Sequence, residues 1–187
     1  EFVNSTYRKA PAIWRVASDA GKRVCVLGVP ATYPPEPVNG VMVSGFDSPV
    51  CTGVDASFVY PRSAYGRVKD WRFADFQESN IGPGWHERAF DRLMKGIATK
   101  ERIALHLLSD EAWDFFMLVF GESDTVSHHF WLFHDADSPR HQEGMRDAIK
   151  DIYIRLDAAV GELIDAAGDD VVVGLVSGHV VGRAGTR

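Results

Sequence analysis

Asp124 and His128 are four residues apart and follow an apolar stretch, Trp113–Phe120, which we interpret as a buried strand, and a short Gly-Glu-Ser turn. If that turn opens a helix, the spacing places both side chains on one helical face. A carboxylate oxygen and an imidazole nitrogen on the same face suit Zn²⁺ or a similar divalent ion. An aspartate at the start of a helix is also a common capping residue, so the spacing alone leaves both interpretations open.

His179 is the third candidate ligand. It follows a second apolar run, Val171–Val176, which we interpret as a strand ending in Ser177-Gly178-His179. Ligands of open α/β sheets bind beyond the carboxyl ends of the strands, so we expect His179 to lie near Asp124 and His128. His129 points elsewhere on a helix, and for it packing or the support of a ligand is the favoured interpretation.

The elements around these residues alternate between helix and strand. Apolar residues recur at helical spacing over Ile13–Ala20, and a nearly continuous apolar run over Arg23–Val29 is typical of a strand covered on both faces. Trp85–Leu108 is predicted as one long helix or two consecutive ones, and Met145–Leu163 as a helix that Gly168 ends. The predicted fold class is α/β, with a doubly wound, mostly parallel sheet flanked by helices.

Residues 33–83 break this regularity with a segment rich in proline, glycine and aromatic residues. Such a long irregular connection predicts an insertion within one domain, either a surface insertion with its own aromatic cluster or a cap that faces the substrate. Asn39-Gly40 is predicted to close a hairpin in which Val41–Ser44 is the second strand.

Composition limits the class of protein. With 187 residues, 45% hydrophobic and 25% charged, the chain is expected to form one soluble domain. Its net charge of −6 argues against a nucleic-acid-polymer surface, and an anionic substrate would need a local positive centre such as a metal ion.

No apolar run reaches membrane-spanning length, so no membrane association is expected and a cytoplasmic location is favoured. Cys25 and Cys51 show no disulfide framework, and Cys25 is predicted to be buried. Oligomeric state is left open.

Phosphate-binding P-loops, dinucleotide fingerprints, zinc-protease motifs and nucleophile elbows are missing from the sequence. Instead, the stretches VPATYPP, PVNGVMVSGF, FFMLVFGESDTVSHHFW and VVVGLVSGH resemble the alkaline phosphatase superfamily. The most similar branch is the type I phosphodiesterase and nucleotide pyrophosphatase group, with its predicted phosphohydrolases and phosphomutases. The resemblance implies an alkaline-phosphatase-like fold with two divalent metal ions, zinc or alternatively manganese. It also implies that Asp124 and His128 bind one metal and His179 the other.

The sequence departs from the family pattern beside His179. Gly178 stands where the family has a ligating aspartate, and Val180 replaces a glycine. Because glycine has no side chain that can bind metal, we expect the second metal site to be compromised. The family's Thr or Ser nucleophile and further ligands are expected outside residues 1–187. We therefore expect this chain to be the central part of one such domain, a fragment that is inactive alone.

The resulting hypothesis is a metal-dependent hydrolase of phosphate mono- or diesters that acts on a small phosphorylated substrate. In this family the two metals activate a nucleophile and stabilise charge on the phosphoryl oxygens. Alternatives are a sulfatase-like hydrolase or a phosphomutase of the same superfamily, or a truncated domain that binds a ligand without catalysis. No substrate-binding residue is predicted.

Overall fold

In the computed structural model, the described residues are 4–45, 54–74 and 81–177. They fall into two compact units. The sheet unit comprises the described residues of 1–75 and 98–121, and the helical unit comprises those of 76–97 and 122–187.

The sheet unit is built on four strands, β1 (Val24–Val29), β2 (Gly40–Ser44), β3 (Val59–Tyr60) and β4 (Phe115–Leu118). Within the described residues the order is β3-β2-β1-β4. Strand β1 pairs in parallel with β2 and β4, whereas β3 pairs antiparallel with β2. The α/β class and the mostly parallel sheet are confirmed, and the doubly wound arrangement stays a prediction.

The central strand is the core of this unit. Val24, Cys25, Val26 and Leu27 are completely buried, as expected of a strand covered on both faces. Helix α1 (Ile13–Asp19) places Trp14 in one cluster with Val24, Val26 and Met42. Burial raises the pKa of the Cys25 thiol far above its usual value, so this side chain stays neutral and packs as a small apolar residue.

Charged side chains join the start of β1 to the residues before β4. The Asp114 carboxylate accepts hydrogen bonds from the Arg23 backbone N–H at 2.8 Å and from Lys22 Nζ at 3.1 Å. These bonds hold the pKa of Asp114 below its usual value. Arg23 also forms a salt bridge with Glu111, which Arg67 reaches at 3.2 Å. The network fixes where β4 begins against β1.

The predicted hairpin at Asn39-Gly40 is wrong. Gly40 instead begins β2, in parallel register with Val24 of β1. The Asn39 side-chain amide donates to the carbonyls of Gly21 and Lys22 at 3.0 and 3.2 Å, which holds the start of β2 beside β1. A Cβ on Gly40 would lie only 1.9 Å from the Val24 carbonyl oxygen. The glycine is therefore required by a close approach of two backbones, and not by a turn.

Part of the irregular segment 33–83 belongs to the main sheet, because β2 and β3 both lie within it. The segment also contains the short helix α2 (Tyr65–Val68). Phe58 lies at its centre, with ring centroids 4.6 Å from Tyr33 and 5.7 Å from Phe73. The aromatic side chains therefore do pack together, and a cap over a substrate site stays a prediction.

The helical unit contains the start of helix α3 (Trp85–Asp110), with α4 (Glu122–His134) and α5 (Ala148–Ala167). Helix α3 is one continuous helix, so of the two alternatives the single helix is confirmed. Gly168, with φ of +85°, ends α5 as predicted. Helices α4 and α5 pack against each other. None of the described helices has the length and apolar character needed to cross a lipid bilayer.

Two strand predictions need correction. The stretch Trp113–Phe120 forms a shorter strand, Phe115–Leu118, which is half-buried. The predicted strand Val171–Val176 is not formed: these residues have no regular secondary structure, and Val172, Leu175 and Val176 are exposed. A strand needs a hydrogen-bonding partner, and a continuous apolar run indicates hydrophobicity without supplying that partner.

Gly28→Ala is expected to lower the free energy of unfolding by about 1–3 kcal/mol. Gly28 has φ of +75°, and a Cβ there would lie 2.8 Å from Cζ2 of the buried Trp71. Gly161→Ala is the control, because that position in α5 has no heavy atom within 4 Å of the added Cβ. Denaturant titration should show Gly161→Ala more stable than wild type by about 0.5–1 kcal/mol. An unchanged unfolding free energy for Gly28→Ala would contradict this account.

Candidate metal centre

The turn that follows β4 does open a helix, so the condition for a shared face is met. Helix α4 begins at Glu122, with Glu122 and Asp124 in its first turn, where carboxylates interact favourably with the helix dipole. Ser127 Oγ donates to the Ser123 carbonyl at 2.7 Å and reinforces this turn. Val126 and Phe130 are fully buried on the packed side of the helix.

Asp124 and His128 are brought together on α4. Asp124 Oδ1 lies 3.3 Å from His128 Nε2, and the side chains are 36% and 59% exposed, respectively. Both side chains are therefore partly exposed, whereas the Oδ1 atom of Asp124 is itself buried. The predicted convergence of the carboxylate and the imidazole is present in the structure; their role as metal ligands stays a prediction.

The separation of these atoms fits two ligands of one metal ion. Zinc binds histidine nitrogen and carboxylate oxygen at about 2.0–2.2 Å, so two tetrahedral ligand atoms are about 3.3 Å apart. The pair thus matches a divalent ion without rearrangement. In the described ranges 4–45, 54–74 and 81–177, no group of three His, Cys, Asp or Glu side chains is arranged to hold a metal. Asp124 and His128 would supply two of the four positions.

The chain contains a second pair of the same composition, which serves as a comparison. His106 Nε2 lies 3.4 Å from Asp110 Oδ2, again four residues apart on one helix. Asp110 also forms a salt bridge with Arg67 Nη2 at 2.8 Å. The guanidinium neutralises the carboxylate and would repel a metal ion, so this pair is a poor ligand set.

His129 and His86 lie in an aromatic cluster. The His129 ring is 5.3 Å from Trp85, which agrees with its interpretation as a packing residue. His86 contacts Phe130 and Phe133 edge-on, with centroid distances of 5.4 and 4.8 Å. Partial burial lowers the pKa of His86, so the imidazole tends to remain neutral. Sequence spacing did not single out His86, because its partners are remote in the chain.

His134 is the last residue of α4. His179, the predicted ligand of a second metal, and Gly178 both lie outside the described residues. The strand predicted to deliver His179 is not formed over Val171–Val176. The structure therefore brings together two of the three predicted ligands.

Replacing His86 is expected to reduce the acid sensitivity of the fold. Because the folded-state pKa of His86 is lowered, the neutral ring stabilises the fold above the unfolded pKa of about 6.5. This contribution is lost as the pH falls from about 6.5 through the folded-state pKa. His86→Phe should therefore lose less stability than wild type between pH 7 and 5 in urea titrations.

His106→Gln is the control for this measurement, because His106 is an exposed histidine of the same helix. It should follow the wild-type pH dependence much more closely than His86→Phe does. Identical pH profiles for wild type and His86→Phe would show that burial of His86 has no such effect.

Comparison with known proteins places the chain in a family. The family model described as type I phosphodiesterase / nucleotide pyrophosphatase matches residues 1–184, a range that includes Asp124, His128 and His179. Searches of curated proteins and of solved structures gave no significant match. The family match confirms the resemblance seen in the sequence motifs and agrees with the four-stranded α/β sheet. The chain belongs to the type I phosphodiesterase and nucleotide pyrophosphatase family.

Proposed function

We propose that this protein is a metal-dependent hydrolase of phosphate mono- or diesters in which Asp124 and His128 bind one divalent ion, zinc or alternatively manganese. The observation that carries the proposal is the convergence of Asp124 Oδ1 and His128 Nε2, 3.3 Å apart, at the N-terminal end of α4, where the helix dipole favours a carboxylate. Membership of a phosphodiesterase and pyrophosphatase family supports phosphorus rather than sulfur as the reacting centre.

The two side chains have complementary tasks in this proposal. The Asp124 carboxylate provides negative charge to hold a cation, and the His128 imidazole provides a nitrogen ligand. A bound divalent ion would supply Lewis-acid stabilisation of charge on the phosphoryl oxygens. Such a positive centre would also offset the net charge of −6, which otherwise disfavours an anionic substrate.

The remainder of the site is proposed from the family resemblance. His179 is the proposed ligand of a second divalent ion, and Gly178 weakens that ion's site because it replaces a carboxylate. The Thr or Ser nucleophile is assigned to a residue outside 1–187. Activity is therefore tested in a longer polypeptide that includes the nucleophile, whereas metal binding by Asp124 and His128 is testable in the chain of residues 1–187.

Removing either ligand is expected to weaken binding of zinc to the chain by at least about tenfold. Replacement of residues that only support a ligand already lowers metal affinity by about that factor. Isothermal titration with zinc chloride at neutral pH compares wild type with Asp124→Ala and His128→Ala. His106→Ala is the matched control, because its pair has the same geometry but its aspartate is held by Arg67. Equal zinc affinity in Asp124→Ala and wild type would sink the ligand assignment.

In the longer polypeptide, Asp124→Ala is expected to lower kcat/KM for an aryl phosphate ester by about a hundredfold or more, because metal stabilisation of the transition state is worth several kcal/mol. Release of nitrophenol from a phosphodiester, a phosphomonoester and a sulfate ester is the assay. The His106→Ala variant should retain wild-type activity. Preferential hydrolysis of the sulfate ester would instead favour the sulfatase-like alternative, and ligand binding without turnover would favour a non-catalytic domain.

A further inference from the structure

Glu122 occupies an unusual position for a carboxylate. It is the first residue of α4 and only 1% exposed, and its spacing from Val126, Phe130 and Phe133 puts it in the buried stripe of the helix. Glutamate is rarely buried so completely, because its charge must be taken out of water. A fully buried carboxylate at this position therefore needs a specific explanation.

Gly96 of α3 provides the room for Glu122. A Cβ added at Gly96 would lie 3.0 Å from Glu122 Oε1 and 3.9 Å from its Cδ. Both residues belong to the helical unit. Glycine inside a helix is unfavourable relative to alanine, yet here the missing side chain lets the α3 backbone approach the carboxylate closely. Because Glu122 is buried, its carboxylate has little space in which to avoid an added methyl group.

The buried stripe and the metal pair occupy opposite parts of α4. Successive helical residues are about 100° apart, so Asp124 projects about 200° around the axis from Glu122. Glu122 therefore does not join Asp124 and His128 as a ligand. Because Glu122 and Asp124 share the first turn, a displacement of Glu122 against α3 would change the direction in which Asp124 points.

We propose that Glu122, seated against Gly96, is a positioning residue that sets the orientation of Asp124 and His128 toward their metal ion. The inference rests on the proposed function of that pair. Residues that hydrogen-bond to metal ligands change affinity by about 10–100-fold when they are replaced, and because Glu122 acts through the helix backbone we expect an effect at the lower end of that range. The steric contact at Gly96 offers a way to disturb Glu122 while every ligand is retained.

The test replaces Gly96 with alanine. Gly96→Ala should weaken zinc binding about tenfold and shift the ring resonances of His128 in the metal-free chain. Alanine is the better helix former, so circular dichroism should show helix content that is retained or increased. A merely structural contact would change the midpoint of unfolding without changing zinc affinity at 25 °C.

A second substitution tests whether the steric contact is the cause. Glu122→Asp shortens the side chain by one methylene, so Gly96→Ala combined with Glu122→Asp should recover the His128 resonances and most of the zinc affinity. Gly161→Ala, whose added Cβ meets no atom within 4 Å, is the control and should match wild type in zinc affinity and in the His128 resonances.

The outcomes separate this inference from the proposed function. Wild-type zinc affinity and unshifted His128 resonances in Gly96→Ala would overturn the proposed role of Glu122. A double variant that recovers neither the zinc affinity nor the His128 resonances would overturn it as well. If the wild-type chain bound no zinc, the proposed function would fail. The His128 resonances would then decide by themselves whether Glu122 positions the pair, since they require no metal.

Discussion

Burial of one face of α4 is the constraint on which the candidate site depends. Val126 and Phe130 are completely buried, and Phe130 meets the rings of His86 and Phe90 at centroid distances of 5.4 and 6.3 Å. Because a helix is rigid over such a short distance, packing of one face fixes where the other side chains point. Asp124 and His128 are therefore oriented by contacts that other residues of the same helix make, and their own side chains remain partly exposed.

The parts of the fold that sequence predicted well are those with a local signal. Helix α5 carries apolar residues at helical spacing, and strand β1 is a continuous apolar run. Both appear close to their predicted bounds. The Asp124–His128 pair is local in the same sense, since four residues of helix suffice to bring the two side chains together. Their convergence could be predicted once a helix was expected after β4.

The predictions that failed required knowledge of partners remote in the chain. Gly40 has the composition of a turn, but its need for glycine comes from the carbonyl of Val24 on a parallel strand. The run Val171–Val176 has the composition of a buried strand and lacks a strand partner among the described residues. No sequence pattern points to a role for His86, because only the folded helical unit places its ring against Phe133. Composition therefore indicates that a residue has a structural role without identifying the remote neighbour on which that role depends.

The two histidine–aspartate pairs show why spacing alone cannot identify a metal site. Both have four-residue spacing and nearly equal separations of 3.3 and 3.4 Å. Asp124 lies in the first turn of α4, where the helix dipole favours a carboxylate, whereas Asp110 is the last residue of α3, where the dipole opposes one. Arg67 compensates that unfavourable position through its salt bridge with Asp110. A cation approaching Asp110 would therefore have to displace a guanidinium, whereas Asp124 lies beside a histidine at the helix end that favours a carboxylate. The electrostatic setting of each carboxylate, more than its distance from histidine, decides which pair suits a metal.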